Sequence, residues 1–376
     1  MPERILITGG AGFIGSHLAD ALIERGQPVR VLDSLVAQVH AAAEGEARPR
    51  HLHPEAEFMH GDVRDRARLE RALEGVDAVV HLAAEVGVGQ SMYAIERYMA
   101  GNTLATAVLL EALAARRRQI RKLVVASSMS IYGEGAYRCP ACGPRYPRLR
   151  SNEQLQRRQW ELACADCGAR LEPALTAEDK PLYPASVYAI GKQDQEQLAL
   201  VAGQAYGIPA VALRLWNVYG PRQALSNPYT GVAAIFSARL LNRQPPLLFE
   251  DGEQQRDFVH VSDVVAAFLL ALDRSGADGC ALNVGSGAAV SVRRLAEMLA
   301  AGLGCDIAPQ AFGRFRAGDI RHCLADISQA RQRLGYAPRR RLSEGIPQLL
   351  DWVRWQTAAD RLEGAAAELA AHGLMG

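Results

Sequence analysis

Residues 4–18, RILITGGAGFIGSHL, decide the fold of this chain. The apolar run Arg4–Thr8 predicts a short buried strand, and helical spacing of apolar residues follows the last glycine. Between strand and helix, Gly9, Gly12 and Gly15 recur at three-residue steps. Glycines in such a turn let the backbone approach a pyrophosphate closely, at the positive end of the helix. The stretch predicts a dinucleotide site, although a plain structural turn is the alternative.

Asp33 supports the dinucleotide interpretation and indicates which dinucleotide binds. It ends the second apolar run, Val29–Asp33, 18 residues after Gly15. A carboxylate there can accept hydrogen bonds from the hydroxyls of the adenosine ribose and would repel a 2′-phosphate. No arginine stands at positions 34–36. NAD is therefore predicted rather than NADP, with a helix-capping role for Asp33 as the alternative.

The regions beyond this stretch continue the alternation of strands and helices. The predicted strands are Glu57–His60, Ala78–Ala83 and Lys122–Ser127, separated by predicted helices near Asp65–Leu73 and Ile95–Ala115. This order predicts an α/β fold with a doubly wound parallel (Rossmann) sheet. We expect an NAD-binding domain over residues 1–219, a smaller α/β substrate domain over residues 220–342 and a helical tail over residues 343–376.

The wall of the cofactor site is predicted from residues that follow the strands and the glycine turn. Small residues after the fourth strand would leave room for the cofactor. The candidates are Phe13, Ile14, Ser34, Asp62, Val63, Leu82, Ala83, Ala84 and Asn102. Ordinary strand ends are the alternative for Asp62, Val63 and the run 82–84.

Tyr188 and Lys192 form the candidate catalytic pair. Residues four apart share one face of a helix, here the predicted helix from Val187 to Tyr206. We expect the Lys192 ammonium to lower the pKa of the Tyr188 phenol, so that the phenol can act as a base. Ser128, at the end of the fifth strand, could hold the same substrate hydroxyl. An exposed helix pair without function is the alternative.

The overall composition is that of an ordinary globular protein. The chain has 376 residues, 22% of them charged, and a formal net charge of +1. This balance gives no field that favours nucleic acid or an anionic membrane. We found no apolar stretch near the ~20 residues of a membrane span and no signal peptide. A cytoplasmic protein is expected.

Residues 134–182 break the alternating pattern and predict an insertion in the first domain. They contain two CxxCG turns, which supply Cys139, Cys142, Cys164 and Cys167. Two such turns can complete a tetrahedral four-sulfur site, so a structural zinc ribbon is predicted. Disulfides or free thiols are the alternative. Because the insertion lies between Ser128 and Tyr188 in sequence, we expect it near the mouth of the substrate pocket, as a lid or an oligomer contact.

The motifs together resemble the extended short-chain dehydrogenase/reductase family, the nucleotide-sugar epimerases and dehydratases. They are TGGAGFIG, HLAA, ASSMSIYG, YAIGK, RLWNVYGPRQ and QQRDFVHVSDV, and the resemblance runs from Arg4 to about Tyr336. It implies Tyr188 as the base, Lys192 as its partner and Ser128 as the hydroxyl that assists. It also implies a homodimer formed through the helices Ile95–Ala115 and Val187–Tyr206, and a role in polysaccharide biosynthesis.

The resemblance further implies contacts to cofactor and substrate. Trp216 falls where the family contacts nicotinamide, and the diphosphate, ribose and base of a dTDP- or UDP-linked sugar would meet other positions. Those substrate positions are Ser130, Asn217, Phe249, Arg256, Arg316 and Asp319. Arginines suit phosphate, although an ion pair with a neighbouring aspartate is the alternative for Arg256 and Arg316.

The reaction is predicted partly from two residues that the chain lacks. The family's dehydratases carry an Asp-Glu pair where this chain has Met129 and Ser130. Without that pair, oxidation at C4 of a hexose followed by reduction remains, which gives a 4-epimerase with a 4-keto intermediate. Several stretches most resemble the dTDP-L-rhamnose 4-epimerase subgroup, which forms dTDP-6-deoxy-L-talose. UDP-glucose 4-epimerase, UDP-glucuronate 4-epimerase or decarboxylase, and a non-catalytic NAD- or RNA-binding relative are the alternatives.

Overall fold

The computed structural model describes residues 3–40, 48–311, 313–316 and 318–375. Its strands are β1 (Ile5–Thr8), β2 (Val29–Asp33), β3 (Glu57–His60), β4 (Ala78–His81), β5 (Lys122–Ser128), β6 (Ala136–Cys139), β7 (Gly143–Arg145), β8 (Glu172–Thr176), β9 (Ala210–Leu215), β10 (Asn217–Tyr219), β11 (Leu247–Leu248), β12 (Gln255–His260), β13 (Ala281–Val284), β14 (Ala289–Ser291), β15 (Gln310–Ala311) and β16 (His322–Ala325). Its α-helices are α1 (Phe13–Glu24), α2 (Ala37–His40), α3 (Arg66–Ala72), α4 (Val88–Ser91), α5 (Ile95–Met99), α6 (Ala105–Ala115), α7 (Asn152–Gln156), α8 (Val187–Tyr206), α9 (Val232–Leu241), α10 (Val261–Asp273), α11 (Val292–Leu303), α12 (Ser328–Leu334), α13 (Leu342–Val353) and α14 (Leu362–Ala371).

The central sheet has seven parallel strands in the order β13-β9-β5-β4-β1-β2-β3. Every residue of β1, β2, β4 and β9 is buried, as expected for strands that helices cover on both faces. Helices α1 and α10 pack on one face, and α3, α6 and α8 pack on the other. The predicted α/β fold with a parallel Rossmann sheet is confirmed.

The predicted helix Ile95–Ala115 has three parts. Between α5 and α6 lies one π-helical turn, Ala100–Leu104. The whole run of 21 residues is long and apolar enough to cross a membrane by length and composition alone, contrary to our expectation. Leu109 and Leu113 nevertheless lie in the core beneath the sheet, and core helices of soluble proteins pass the same test.

A second sheet has the strand order β10-β12-β16-β8-β6-β7, and β14 pairs antiparallel with residues 255–257 at the start of β12. Helices α9, α11 and α13 bury their apolar faces against it, through residues such as Phe236, Leu299 and Leu349. The segment 220–342 also supplies β13 to the central sheet and α10 to its surface. The chain therefore passes back to the first sheet after leaving it.

The insertion 134–182 contributes three strands to this second sheet. β8 pairs in parallel with β16, through Leu175 opposite Leu324, and β6 pairs antiparallel with β8. A small core of Tyr137, Leu162 and Leu171 surrounds two of the cysteines. Sequence analysis placed the insertion inside the first domain, whereas its strands extend the sheet of the second. Chain order did not show this, because the pairing partner β16 lies about 150 residues later.

Candidate active site

A cleft of about 530 Å³ opens at the carboxyl ends of the central strands. It lies where the strand order reverses between β1 and β4, the usual ligand position in a doubly wound sheet. Predicted residues that line it are Gly9, Gly12, Phe13, Ile14, Gly15, Asp33, Ser34, Asp62, Val63, Leu82, Ala83, Ala84, Ser128, Ser130, Tyr188, Lys192, Trp216 and Asn217.

The glycine turn is shaped by close approaches of the backbone. Gly9 has a φ of +69°, and a Cβ atom there would lie 2.7 Å from the Ala83 nitrogen. A Cβ at Gly15 would lie 2.5 Å from the Cα of Gly10. A Cβ at Gly12 would meet only the Gly9 oxygen, at 3.3 Å, so a side chain there would project into the cleft. No side chain caps α1 at Gly12, which fits an anion at this helix N-terminus.

Asp33 is buried at the end of β2, beside the glycine turn. Its Oδ2 accepts a hydrogen bond from the Ala11 amide at 3.0 Å, and its Oδ1 accepts one from the Leu35 amide at 2.9 Å. Two carboxylate oxygens have about four acceptor positions, so capacity for ribose hydroxyls remains. The carboxylate therefore both fixes the turn and stays suited to the ribose of NAD.

Asn102 does not line the cleft. Its Oδ1 accepts from the Glu85 amide at 2.7 Å, and its Nδ2 donates to the Glu85 carbonyl at 3.2 Å. Asn102 lies in the π-helical turn, which brings Gly101 against Glu85 as well. Its side chain holds the loop after β4, where Ala83, Ala84 and Glu85 do line the cleft.

Tyr188 and Lys192 lie in the first two turns of α8, which starts after the N-cap Ser186. The Ser186 hydroxyl accepts a hydrogen bond from the Ala189 amide at 3.1 Å. Lys192 donates from Nζ to the Ala126 carbonyl of β5 at 3.0 Å. The Tyr188 phenol is hydrogen-bonded to the Ser128 hydroxyl, which also accepts from the Ser130 hydroxyl at 2.9 Å. The three predicted catalytic residues thus meet at one wall of the cleft.

The protonation of this pair differs from the prediction in the ligand-free protein. Burial raises the pKa of Tyr188, and the hydrogen bond with Ser128 lowers it only in part. Burial lowers the pKa of Lys192 to about 7. The pKa of Tyr188 is therefore raised in the ligand-free protein, whereas the sequence predicted that Lys192 would lower it. A buried ammonium that titrates near neutrality is a weak source of positive charge.

A buried ion pair beneath the catalytic residues fixes the end of β5. The Arg214 guanidinium contacts both carboxylate oxygens of Glu196, with Nη2 to Oε1 at 2.7 Å. Glu196 also accepts from the Ser127 hydroxyl at 2.6 Å, one residue before Ser128. Glu196 lies one turn after Lys192 on α8, so this pair locks the helix to the strand. The sequence pattern gave no sign of it.

Three buried polar atoms of residues in the cleft wall lack both hydrogen-bond and ion-pair partners within the described residues. They are Nε1 of Trp216, Oδ1 of Asn217 and Oε1 of Gln223. Buried polar groups without a partner are rare and call for a ligand or water. Their position fits a bound dinucleotide or sugar diphosphate.

The other predicted substrate residues form a separate cluster, further along the second sheet. Arg316 pairs with Asp319 at 2.9 Å and lies 4.5 Å above the Phe249 ring, and Arg256 lies 3.6 Å from Asp319. Asn217 pairs in register with Phe258, which lines the cleft. Arg256 lies two residues before Phe258, so it points to the same face of β12, about 7 Å away. The cluster continues the line of the cleft beyond Asn217.

Several residues of the cleft were not predicted from the sequence. Among them, Arg222, Gln223 and Tyr229 line it from the segment between β10 and α9. The motif GPRQ, residues 220–223, was noted only as part of the resemblance and could have indicated the first two. Tyr229 had no signal, since its place depends on a hydrogen bond with Tyr93 at 2.7 Å.

The four predicted metal ligands lie together in the insertion. The Sγ atoms of Cys139, Cys142, Cys164 and Cys167 are all within 4.8 Å of one another, and those of Cys139 and Cys167 are 3.5 Å apart. A tetrahedral zinc with bonds of about 2.3 Å separates its sulfurs by about 3.8 Å. The four Sγ atoms are not joined in disulfides, and their mutual distances fit a four-sulfur zinc site.

Comparison with known proteins identifies the family. A model of the NAD dependent epimerase/dehydratase family matches residues 5–149 and 165–285. A dTDP-L-rhamnose 4-epimerase of Burkholderia thailandensis is 36% identical over 353 residues, which cover 93% of this chain and 95% of that protein.

Solved structures agree with this match. A UDP-glucose 4-epimerase of Thermotoga maritima with UDP-glucose is 31% identical, with a TM-score of 0.75 and coverage of 93% of this chain and 98% of that one. A UDP-glucuronic acid 4-epimerase of Bacillus cereus with UDP-glucuronic acid and NAD is 28% identical, with a TM-score of 0.76 and coverage of 93% and 99%.

The chain belongs to the NAD-dependent epimerase/dehydratase family. The predicted enzyme class, an isomerase of the NAD-dependent nucleotide-sugar 4-epimerase type, is confirmed by these relatives.

Replacing Lys192 by Met should stabilise the ligand-free protein at neutral pH. The pKa of Lys192 falls from the ordinary 10.5 to about 7 on folding, so the unfolded chain binds more protons between these values. The free-energy penalty for burying Lys192 is therefore absent above pH ~10.5, where the lysine is neutral in both states. The penalty grows as the pH falls towards 7. We expect K192M to melt several degrees above wild type at pH 7, with the gap narrowing at pH 9.5. A difference in melting temperature that does not change with pH, measured by calorimetry, would contradict the lowered pKa of Lys192.

Proposed function

We propose that the protein inverts C4 of dTDP-L-rhamnose to give dTDP-6-deoxy-L-talose, and the reverse. The observation that carries this proposal is the grouping of Tyr188, Lys192 and Ser128 at one wall of a dinucleotide cleft, with Met129 and Ser130 beside them. These two side chains supply no carboxyl group for elimination of water. The choice of sugar rests on the name of the Burkholderia relative.

In the proposed reaction the residues of the chain move one proton and bind one alkoxide. NAD, when bound, accepts the C4 hydride and returns it, and its oxidised ring adds positive charge that favours the Tyr188 phenolate. Tyr188 takes the proton of the C4 hydroxyl, while the Ser128 hydroxyl donates to the same oxygen. The 4-keto sugar turns over about its diphosphate link. A bound NADH would supply the hydride for the other face of the ketone, and Tyr188 would give the proton back to the C4 oxygen.

We propose that the nucleoside diphosphate lies along Asn217, Arg256 and Arg316, with the base near Phe249. The positions of Asn217 on β10 and Arg256 on β12 support this path, as do the ion pairs that place Arg256 and Arg316 beside Asp319. Burial of Asp33 next to the glycine turn supports NAD as the resident cofactor.

The test is NMR of the enzyme incubated with dTDP-L-rhamnose, UDP-glucose and UDP-glucuronate, without added cofactor. We expect the C4-inverted product from the dTDP sugar, and a loss of at least ~100-fold in rate for Tyr188→Phe. Tyr206→Phe, at the exposed end of the same helix, is the matched control and should keep full activity. Release of NADH without an inverted product would refute the proposal.

A UDP-sugar 4-epimerase is the second candidate. The two solved relatives named above were crystallised with UDP-glucose and UDP-glucuronic acid. Inversion of either UDP sugar in the same NMR experiment, with none of dTDP-L-rhamnose, would favour it.

We also propose a structural zinc ion in the insertion, bound by Cys139, Cys142, Cys164 and Cys167. Four thiolates leave no open coordination position, so the metal would order the insertion and take no part in the chemistry. Mass spectrometry of the purified protein should find one zinc per chain, lost in a Cys139→Ser, Cys164→Ser double variant. Cys305→Ser, far from the cluster in sequence, is the control and should keep the metal. Wild-type protein without zinc would contradict the proposal.

A cytoplasmic homodimer completes the proposal. Large apolar side chains are exposed on the two helices expected at the interface, and they are Ile95, Leu104, Ile190, Leu198 and Val201. Pairing of the two helices with their copies would bury this face. A sedimentation mass of one chain would contradict it.

A further inference from the structure

We propose that Arg150 and Glu161 of the insertion are positioning residues for the nucleoside diphosphate of the substrate. They join the segment that carries Phe249 and Arg256 to the segment that carries Arg316 and Asp319. This inference rests on the proposed function, because it assumes that these four residues hold the nucleotide. It differs from the expected lid, since no described residue of the insertion lines the cleft.

Arg150 fixes the backbone that follows Phe249. Its guanidinium makes two hydrogen bonds of 2.8 Å to the two carboxylate oxygens of Glu250, and its Nη2 also donates to the Asp319 carbonyl at 3.2 Å. Both side chains of the ion pair are 1% exposed. Glu250 has a φ of +55°, which a residue with a side chain rarely adopts unless its surroundings hold it there. The paired fork–carboxylate geometry supplies that restraint.

Glu161 fixes the backbone that orients Arg256. Its Oε1 accepts from Nε and Nη2 of Arg321 at 3.0 and 2.6 Å, and Arg321 also contacts Asp251 at 2.6 Å. The carbonyls of Ile320 and Arg321 accept from the Arg256 guanidinium at 2.7 and 2.8 Å. The direction in which Arg256 points is therefore set by a backbone stretch that Glu161 holds.

The cysteine cluster in turn holds Glu161. Leu162 and Cys164 follow it and pack with Tyr137 and Cys139 in the small core of the insertion. The Tyr137 hydroxyl donates to Glu134 at 3.0 Å and accepts from the His322 amide at 3.2 Å. The packing around the four cysteines thereby helps to fix residues 319–322. These residues lie beside the cluster of Arg256, Arg316 and Phe249.

Two features argue that these ion pairs serve the site. Arg150, Glu250 and Arg321 are almost fully buried, and buried charges add little net stability over apolar residues of the same size. Residues 150–164, which include Arg150 and Glu161, fall between the two stretches that match the family model. The ion pairs of Arg150 and Glu161 therefore connect the insertion to the residues that are predicted to contact the nucleotide.

The test compares Glu161→Gln and Arg150→Lys with two matched controls in the same segment, Glu153→Gln and Arg157→Lys, both of exposed side chains. Affinity for dTDP and for UDP is measured by calorimetry, together with kcat, KM and the NAD content. We expect a dTDP dissociation constant about fivefold higher and a matching rise in KM for E161Q and R150K. The kcat at saturation and the NAD content should stay within twofold of wild type, and the controls should match wild type throughout.

An unchanged dissociation constant in both variants overturns the inference. A lower melting temperature would not rescue it, because residues with a merely structural role would also lower the melting temperature when replaced. A fall in kcat at unchanged KM overturns it too. If the wild type binds dTDP but inverts no sugar, the proposed reaction fails. The dissociation constants of dTDP for the variants then still test whether Arg150 and Glu161 position the nucleotide. If the wild type binds neither dTDP nor UDP, both proposals fall.

Discussion

The packing of α8 against the carboxyl end of β5 is the constraint on which the site depends. Lys192 donates to the Ala126 carbonyl, and Glu196 accepts from the Ser127 hydroxyl, so two successive turns of the helix are bound to two successive residues of the strand. A Cβ at Gly203 would lie 2.7 Å from that of Ala210, so the far end of the helix also lies close to its strand. This contact places Tyr188 against Ser128 and leaves it little freedom to move away.

The same contact explains why the catalytic pair is costly to the ligand-free protein. An ammonium and a phenol are held in the wall of the cleft, where burial disfavours the charged form of each. Such a site gains its working protonation state only when a positive ring and a substrate oxygen enter it.

The sequence predicted the central sheet well, because short apolar strands and a glycine turn leave local signals. It also predicted the meeting of Tyr188, Lys192 and Ser128, and the four cysteines. It could not show that β8 pairs with β16, since strand pairing across about 150 residues leaves no local pattern. Nor could it show that Arg150 pairs with Glu250. The insertion contains many charged residues, and nothing in the sequence marks Arg150 as the one that becomes buried. Asn102 was placed in the cofactor wall, yet its amide is taken up by the backbone of Glu85.

The central claim is that hydride leaves C4 and returns to C4 of the same sugar, while Tyr188 exchanges only the hydroxyl proton. The most direct measurement uses dTDP-L-rhamnose labelled with deuterium at C4 and incubated with the enzyme in ordinary water. The account predicts that the inverted sugar keeps the deuterium at C4, as seen by NMR and mass spectrometry. Loss of the label to solvent in the inverted sugar would contradict it, because the hydrogen would then have left C4 as a proton.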